Sequence, residues 1–147
     1  MDEAAGGVTF RAHRSEDLNF LMDSWGSSYK AGSRAHKRLT AEEFHAFHRP
    51  IRERFFSRST ACVIVACMPD DEWYIMGWIA VEKIASGMVL QYLYTRATAK
   101  REGIASDLIA RALHSRPVFY THLTEQAAKI IDRDPRLDGF IHIPHLV

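Results

Sequence analysis

The sequence predicts a mixed α+β protein, in which helices flank a central sheet. Short β-branched runs, such as residues 61–67, are typical of buried strands, whereas apolar residues at helical spacing, as in 18–29, indicate helices. In chain order these patterns predict the elements β, α, α, β, β, β, α, β, α and β. The 147 residues, 47% of them hydrophobic, are enough for one core, so we expect a single domain over residues 1–147.

Local signals define where these elements begin and end. The predicted strands cover residues 8–13, 61–67, 73–81, 89–95, 117–123 and 140–143. Ser15 is predicted to cap the first helix, and Thr40 to cap the second in a capping box with Glu43. Pro50 lies inside the second helix, so we expect a kink or two short helices there. The last two helices are predicted at 104–114 and, after the capping Thr124, through 131.

Both cysteines are predicted to be reduced. Cys62 and Cys67 lie five residues apart in one predicted strand, so their side chains point to opposite faces and should not bridge each other. Reduced thiols are typical of cytoplasmic proteins, so we expect the protein in the cytoplasm, or in the host cytoplasm if it is viral. The acidic start, residues 1–7, has no apolar leader, and no stretch is apolar enough for a bilayer, so no membrane is expected.

The formal net charge of +1 makes nucleic acid an unlikely general partner. Basic residues are nevertheless concentrated between residues 29 and 58, a segment that contains eight basic and three acidic residues. This segment is interpreted as a solvated helical face or, alternatively, as a docking surface for an acidic partner or for phosphates.

Residues 90–110 form the most informative stretch, because an apolar strand runs into a basic turn and a helix begins after Gly103. A helix N-terminus offers unpaired N–H groups and a positive dipole end, which favour phosphates and pyrophosphates. Gly103 lacks a Cβ, so a ligand can approach its backbone, and Lys100 and Arg101 add positive charge. The patterns of nucleotide P-loops and of dinucleotide-binding folds are absent from this turn.

The run Lys100-Arg101-Glu102-Gly103-Ile104-Ala105 after a strand resembles motif A of the GCN5-related N-acetyltransferase (GNAT) superfamily. The consensus of that motif is Gln/Arg-x-x-Gly-x-Gly/Ala, and in the family it holds the pyrophosphate of acetyl-coenzyme A. Lys100 departs from the consensus, since it keeps the charge of arginine but loses the planar fork. The predicted order of elements also matches the family plan, most specifically from residue 61 to residue 131.

The resemblance implies a central, mixed and mostly antiparallel sheet whose fourth and fifth strands splay apart and leave a notch for the cofactor. It also implies that the backbone of 93–95 faces the pantetheine arm, with a bulge that aims one N–H at the thioester carbonyl. Along this strand we expect Gln91, Leu93 and Thr95 on one face, and Leu90, Tyr92 and Tyr94 on the other. The implied cofactor-binding residues are Leu93, Tyr94, Thr95, Lys100, Arg101, Glu102, Gly103, Ile104, Ala105 and Ser106.

Acyl transfer from a thioester to an amine needs a base, stabilisation of the thioester oxygen and a proton for the thiolate, but no covalent nucleophile. Glu82 is a candidate base through water, or an ordinary carboxylate at a strand end. Tyr92 is a candidate acid or a packing residue. His122 has a suitable intrinsic pKa for proton transfer, or is a hydrogen-bonded structural histidine. Many relatives carry a tyrosine acid in the helix that here covers 125–131, which has none.

Trp25 and Tyr29 lie one helical turn apart and are candidates for the wall of the acceptor pocket, or for the core. Together with Ser24, they also look like the N-terminal third of small GNAT-like proteins of bacteriophages. The acceptor amine is left open among a small metabolite, a protein lysine and a modified nucleobase.

No metal is expected, because the pairs His45/His48 and His142/His145 lack further ligands at a recognised zinc spacing. The predicted function is an acetyl-CoA-dependent N-acyltransferase that moves an acetyl group to a primary amine by direct attack in a ternary complex. The alternative is a catalytically inactive binding or inhibitor module that acts through a partner protein or nucleic acid. The last strand, 140–143, is expected to pair either with its own sheet or with that of a neighbouring protomer in a homodimer.

Overall fold

The computed structural model describes residues 2–3, 7–99, 103–122, 124–144 and 146–147, with backbone alone at 2, 3, 99 and 136. Within these ranges, seven strands form one sheet in sequence order. The strands are β1 (Asp2–Glu3), β2 (Thr9–Ala12), β3 (Ala61–Met68), β4 (Asp71–Ile84), β5 (Gly87–Thr95), β6 (Val118–Tyr120) and β7 (Ile141–His142). Strands β1 to β5 pair antiparallel, whereas β5, β6 and β7 pair parallel. The predicted α+β class with a mixed, mostly antiparallel sheet is confirmed.

Helices flank this sheet. They are α1 (Leu18–Gly32), α2 (Ala41–Ser57), α3 (Ile104–Ala112) and α4 (Glu125–Arg133). The capping box at α2 is confirmed, since Thr40 Oγ1 accepts from Glu43 N at 3.1 Å and Thr40 N donates to Glu43 Oε1 at 2.9 Å. Thr124 Oγ1 likewise accepts from Ala127 N at 3.0 Å and caps α4. These caps satisfy N–H groups that a helix start otherwise leaves unpaired.

Two predictions for the first two helices are wrong. Ser15 does not cap α1, which begins at Leu18 after a 3-10 turn; instead Asp17 Oδ2 accepts from Arg14 N at 2.8 Å. Of the two outcomes predicted at Pro50, two short helices are wrong, because α2 runs unbroken through the proline. Helix α2 buries Phe44 on one side of the proline and Phe55 on the other, and this packing outweighs the lost backbone hydrogen bond.

The core lies on both faces of the sheet. One cluster joins α3 to the sheet, with Ile104, Leu108, Ile79 and Val81 among its buried members. The other cluster packs α1 and α2 against the opposite face. It contains the fully buried Trp25 and eleven other buried residues. Since each cluster removes a large apolar area from water, the two together fix the sheet between the helix pairs.

Residues in β3 and β4 follow the expected alternation, with two register shifts near the end of β3. Cys67 is buried in the cluster that contains Val63 and Val65, whereas Cys62 is exposed, so the two thiols lie on opposite faces as predicted. The pairing of β3 with β4 shifts register after Ala66, beside Gly77. A Cβ at Gly77 would lie 2.8 Å from the carbonyl oxygen of Tyr94, so the two backbones approach each other closely at this glycine.

The helices differ from membrane-spanning segments. Among the described residues, none of them combines the length with the apolar run that crossing a bilayer requires.

Candidate functional site

The parallel strands β5 and β6 pair for only three residues and then separate. Their register joins Met88 to Val118, Val89 to Phe119 and Leu90 to Tyr120. The last backbone contact runs from Thr121 N to Leu90 O at 3.2 Å. Strand β5 continues to Thr95, so in the described part of the chain its edge beyond Leu90 has no strand partner on the β6 side. Backbone groups on such an edge are open to a ligand.

A β-bulge lies where the strands part. In the pairing of β4 with β5, Val81 faces Leu90 and Ala80 faces Tyr92, so Gln91 is the extra residue. The bulge therefore precedes the predicted position at 93–95. The extra residue also corrects the predicted faces, because Leu90 and Leu93 pack with one core cluster while Tyr92 packs with the other.

A cavity of about 410 Å³ lies in the notch between β5 and β6. On the face of α1, its lining residues are Ser28, Ala31, Gly32, Tyr92, Tyr94, His122 and Thr124. On the face of α3 and α4, the lining includes Leu90, Leu93, Ala105, Ile109, Ile130, Ile131, Leu137 and Phe140. Its size is within the range of small-molecule and cofactor sites.

The lining of this cavity is apolar and aromatic, with a few neutral polar groups. Among the residues that the structure describes, no Asp, Glu, Lys or Arg side chain lines it. The polar groups of the lining on the α1 face are therefore the hydroxyls of Ser28, Tyr92 and Thr124 and the ring of His122. Such a lining suits a flexible, largely uncharged chain.

Helix α3 starts beside the same cavity. Gly103 adopts the left-handed conformation, with φ 77°, immediately before the helix. The first backbone bond of the helix runs from Asp107 N to Gly103 O at 3.1 Å, so the N–H groups of 104–106 precede it. Ala105 lines the cavity, while Ile104 is buried in the core. The predicted cofactor residues Lys100, Arg101 and Glu102 lie outside the described residues.

Tyr92 presents a neutral phenol at the cavity. The Tyr92 hydroxyl lies 2.7 Å from Ser28 Oγ. Because the Ser28 hydroxyl already donates its proton to Ser24 O, at 2.5 Å, the phenol of Tyr92 donates to Ser28. The Tyr92 ring stacks on the Trp25 ring, with an angle of 14° between the ring planes and 5.5 Å between the ring centroids. Burial raises the pKa of Tyr92, so the phenol stays protonated near neutral pH, and a proton that it gave to a ligand would leave the hydrogen bond to Ser28.

His122 belongs to a buried chain of side-chain hydrogen bonds. Arg52 Nη1 lies 2.6 Å from His48 Nδ1, and His48 Nε2 lies 2.8 Å from His122 Nε2. His122 Nδ1 lies 2.7 Å from Thr121 Oγ1, which donates to Gln91 Oε1 at 2.9 Å. This series of hydrogen bonds links α2, the residues just after β6 and the bulge of β5, and we call it the buried relay.

The donors of the buried relay all point in one direction. Because a guanidinium only donates, His48 must accept at Nδ1 and donate from Nε2 to His122. His122 then accepts at Nε2 and donates from Nδ1 to Thr121. Both ring nitrogens of His122 are therefore engaged within the protein. Burial lowers the pKa of His48 to about 2 and that of His122 to about 3, and the nearby Arg52 cation acts in the same direction.

Arg52 is a buried cation. Its side chain is 3% exposed, and its Nε has no hydrogen-bond partner. A Cβ at Gly26 of α1 would lie 2.8 Å from Nη1, so the guanidinium fits against that helix only where it carries glycine. The neighbouring acid Glu53 lies 3.8 Å from Arg49 in an exposed pair. Among the described residues, no carboxylate forms an ion pair with Arg52.

Three residues predicted for catalysis or acceptor binding lie outside the cavity lining. Glu82 is held by Arg58 Nη1 at 2.9 Å and by Thr60 Oγ1 at 2.6 Å, so its two oxygens already have partners. Trp25 is fully buried and Tyr29 is nearly so. Both pack against the ring of His122, with centroids 5.2 and 4.7 Å away, and therefore support the cavity from behind instead of lining it.

The histidine pairs have different environments. Both ring nitrogens of His48 are used in the buried relay, and His145 lies outside the described residues. Within the described ranges, no group of three or more His, Cys, Asp or Glu side chains is arranged to hold a metal ion.

Sequence analysis missed the residues that surround His122. Arg52 and His48 are four positions apart on α2, so their adjacency is a signal that the helical spacing contains. The contact of His48 with His122 spans 74 positions, and no local pattern indicates it.

Solved structures share this architecture. A GCN5-related N-acetyltransferase from Ralstonia eutropha JMP134 superposes with a TM-score of 0.65 at 16% identity, over 86% of this chain and 90% of that one. A ribosomal-protein-alanine N-acetyltransferase from Brucella melitensis biovar Abortus 2308 gives 0.57 at 11% identity, over 86% and 89%. The PaiA N-acetyltransferase from Thermoplasma acidophilum, in complex with coenzyme A, gives 0.54 at 19% identity, over 71% and 69%.

Sequence comparison alone does not find this relationship. No protein-family profile matches the chain, and no curated protein matches it. The chain has the fold of the GCN5-related N-acetyltransferases.

Proposed function

We propose that this protein is an acetyl-CoA-dependent N-acetyltransferase that acts on a primary amine in a ternary complex. The observation that carries the proposal is the notch beyond Leu90, where the free edge of β5 faces a neutral cavity that reaches the start of α3. An unpaired strand edge can pair with the amides of a pantetheine arm, and a helix start can hold a pyrophosphate. The coenzyme A bound to the PaiA structure supports the same choice of ligand.

The described residues suit the two ends of such a ligand. Gly103 allows close backbone approach, and the N–H groups of 104–106 supply donors at the positive end of α3. The apolar lining around Leu93 and Ile109 suits the uncharged arm. Lys100 and Arg101 belong to the proposed diphosphate site on the basis of their sequence positions.

The proposed reaction needs no covalent enzyme intermediate. The thioester supplies an activated acetyl group. The amine nitrogen forms a bond to the carbonyl carbon, the carbon–sulfur bond breaks with its electron pair on sulfur, and the proton lost by nitrogen is balanced by one gained by sulfur. We assign the gain to Tyr92, whose protonated phenol lines the cavity on the α1 face.

His122 has a supporting part in this proposal. Its two nitrogens bind His48 and Thr121, so the ring holds Gln91 and the bulge in place instead of taking the amine proton directly. Water carries the amine proton away, because Glu82 is held by Arg58 and Thr60 outside the cavity. A Gln91 backbone N–H placed by the bulge would stabilise the thioester oxygen.

Two measurements on the wild-type protein test the proposal. Calorimetry with acetyl-CoA should give saturable heat, and free thiol should appear when a primary amine is added. Desulfo-coenzyme A analogues, which lack the thioester, should bind without releasing thiol. An absence of saturable heat with acetyl-CoA would show that the notch is not a coenzyme site.

A coenzyme-binding module without catalysis is the second candidate. It is favoured by the occupied nitrogens of His122 and the occupied oxygens of Glu82, which leave no described carboxylate or imidazole free as a base in the cavity. Saturable heat with acetyl-CoA, together with no thiol release for any amine, would support this candidate over the enzyme.

A further inference from the structure

The acceptor side of the cavity lacks the groups that recognise a cationic amine. On the α1 face it is formed by Ser28, Ala31, Tyr92, Tyr94 and His122, and within the described residues it contains no carboxylate. An ammonium group is strongly hydrated and costs free energy to bury unless an anion or several acceptors replace its water. This surface offers no such compensation.

The buried charge that is joined to the cavity through His122 has the wrong sign for an ammonium group. Arg52 lies behind His122, joined to it by His48, and no carboxylate pairs with it among the described side chains. Asp23 and Glu53 act on Arg52 only at longer range. A cation that enters the cavity therefore meets a positive potential through the relay.

The rim on the same side does not reverse this potential. Glu125 at the start of α4 lies 3.4 Å from Lys37 Nζ and 3.8 Å from Arg34 Nε. Two cations thus accompany one carboxylate at the place where α1 approaches α4. A polyamine or a lysine side chain has no free acid to bind along this path in the described part of the chain.

We propose, on the basis of the proposed function, that the acceptor is an amine attached directly to an aromatic ring. Such an amine is neutral at physiological pH, because its lone pair is delocalised into the ring. It reaches the thioester without a base to deprotonate it beforehand, and its ring suits the apolar and aromatic lining, to which Tyr92 and Tyr94 belong. When the nitrogen–carbon bond forms and the carbon–sulfur bond breaks, the nitrogen loses one proton to water, the sulfur gains one from Tyr92, and Tyr92 regains a proton from water.

A matched pair of acceptors tests the acceptor class. Aniline and cyclohexylamine have similar size, but aniline is neutral and aromatic at pH 7 whereas cyclohexylamine is cationic. With wild-type protein and saturating acetyl-CoA, we expect thiol release with aniline and a kcat/KM for cyclohexylamine that is at least about tenfold lower. Spermidine should behave like cyclohexylamine. Faster release with cyclohexylamine or spermidine would overturn the proposed class.

A charge introduced into the cavity gives a second test. Gln126 lines the cavity in the first turn of α4, where an acidic residue is compatible with the helix dipole. Gln126→Glu should raise the cyclohexylamine-to-aniline ratio of kcat/KM by about tenfold, whereas Gln126→Leu should leave that ratio low. An unchanged ratio in Gln126→Glu would show that charge does not govern acceptor choice and would overturn the inference.

The outcome also separates this inference from the proposed function. Saturable acetyl-CoA heat with no thiol release from aniline overturns the acceptor class and leaves the coenzyme site intact. An absence of acetyl-CoA heat overturns the coenzyme site itself, and with it the inference.

Discussion

His48 Nε2 and His122 Nε2 lie 2.8 Å apart, and one proton lies between these two buried imidazoles. The Arg52 guanidinium fixes which ring donates, because it occupies the lone pair of His48 Nδ1. Two neutral histidines and an unpaired cation therefore form one polar unit inside an otherwise apolar and aromatic core. Such a unit stabilises the fold only while both rings remain neutral.

The first prediction concerns the pH dependence of stability. The folded pKa values of His48 and His122, about 2 and about 3, lie below the ordinary value of 6.5. Below pH 6.5 the unfolded chain binds protons that the folded chain does not, so stability is complete above that pH and falls as the pH decreases. Each histidine should cost about 2 kcal/mol of unfolding free energy at pH 5.

Urea unfolding of wild type and His122→Asn between pH 5 and pH 8 checks this prediction. The variant should be less stable at pH 8 but should lose about 2 kcal/mol less than wild type between pH 8 and pH 5. His114→Gln, at an exposed position, serves as the control and should follow wild type. Parallel curves for wild type and His122→Asn would contradict the prediction.

The second prediction concerns the ion pair of Arg11 with Asp17. Arg11 Nη1 lies 2.7 Å from Asp17 Oδ2 and Nη2 lies 3.0 Å from Oδ1, with the side chains 4% and 2% exposed. Burial would raise the pKa of Asp17, but bonds from Arg11 and from Arg14 N outweigh it and lower that pKa. Arg11→Met should therefore destabilise the fold by about 3–5 kcal/mol, because it leaves a buried charge unpaired.

Arg14→Met is the matched control for Arg11→Met. Arg14 also lies over the ring of Trp73, at 5.3 Å compared with 5.6 Å for Arg11, so both variants lose a similar cation–π contact. The Arg14–Glu72 pair is about 40% exposed, and its loss should cost less than about 1 kcal/mol. Equal losses in denaturant unfolding would show that burial does not set the strength of the Arg11 pair.

Periodicity and capping predicted the fold because both are local. The β-branched run at 61–67 and the capping box of Thr40 with Glu43 concern neighbouring residues, and both appear in the structure. Pro50 was misjudged because the packing of both halves of α2 on one core is a tertiary effect.

The site was predictable only where the backbone determines it. The strand–turn–helix junction at Gly103 follows from a glycine with positive φ, which a sequence can signal. The bulge at Gln91 depends on how β5 pairs with β4, and the sequence does not specify that register. The contact of His48 with His122, just after β6, depends on the packing of α2 across the sheet, which lies beyond any local pattern.

The third prediction tests the coenzyme site at Gly103. Gly103→Glu places a carboxylate at the N-terminus of α3, where the diphosphate is proposed to bind, and should weaken acetyl-CoA binding at least about tenfold in calorimetry. The positive φ of 77° should also cost about 1–2 kcal/mol of stability.

Gly7→Glu separates these two effects. Gly7 has φ 69° and open space around it, so it carries the same backbone strain and the same added charge away from the cavity. Its acetyl-CoA affinity should equal that of wild type while its stability falls like that of Gly103→Glu. Equal affinities in the two variants would move the coenzyme site away from α3.

The fourth prediction assigns the proton donor. Tyr92→Phe keeps the ring that stacks on Trp25 and removes the hydroxyl that lies 2.7 Å from Ser28. If the phenol protonates the departing thiolate, kcat should fall by about 100-fold or more, while acetyl-CoA affinity and the melting temperature change little.

Tyr74→Phe, at an exposed tyrosine outside the cavity lining, should leave kcat unchanged and thereby controls for the loss of a phenol as such. Because burial raises the pKa of Tyr92, the wild-type rate should not decline through ionisation of this group up to about pH 10. A wild-type kcat in Tyr92→Phe would assign Tyr92 to packing against Trp25, and the proton for sulfur would then have to come from water in the notch.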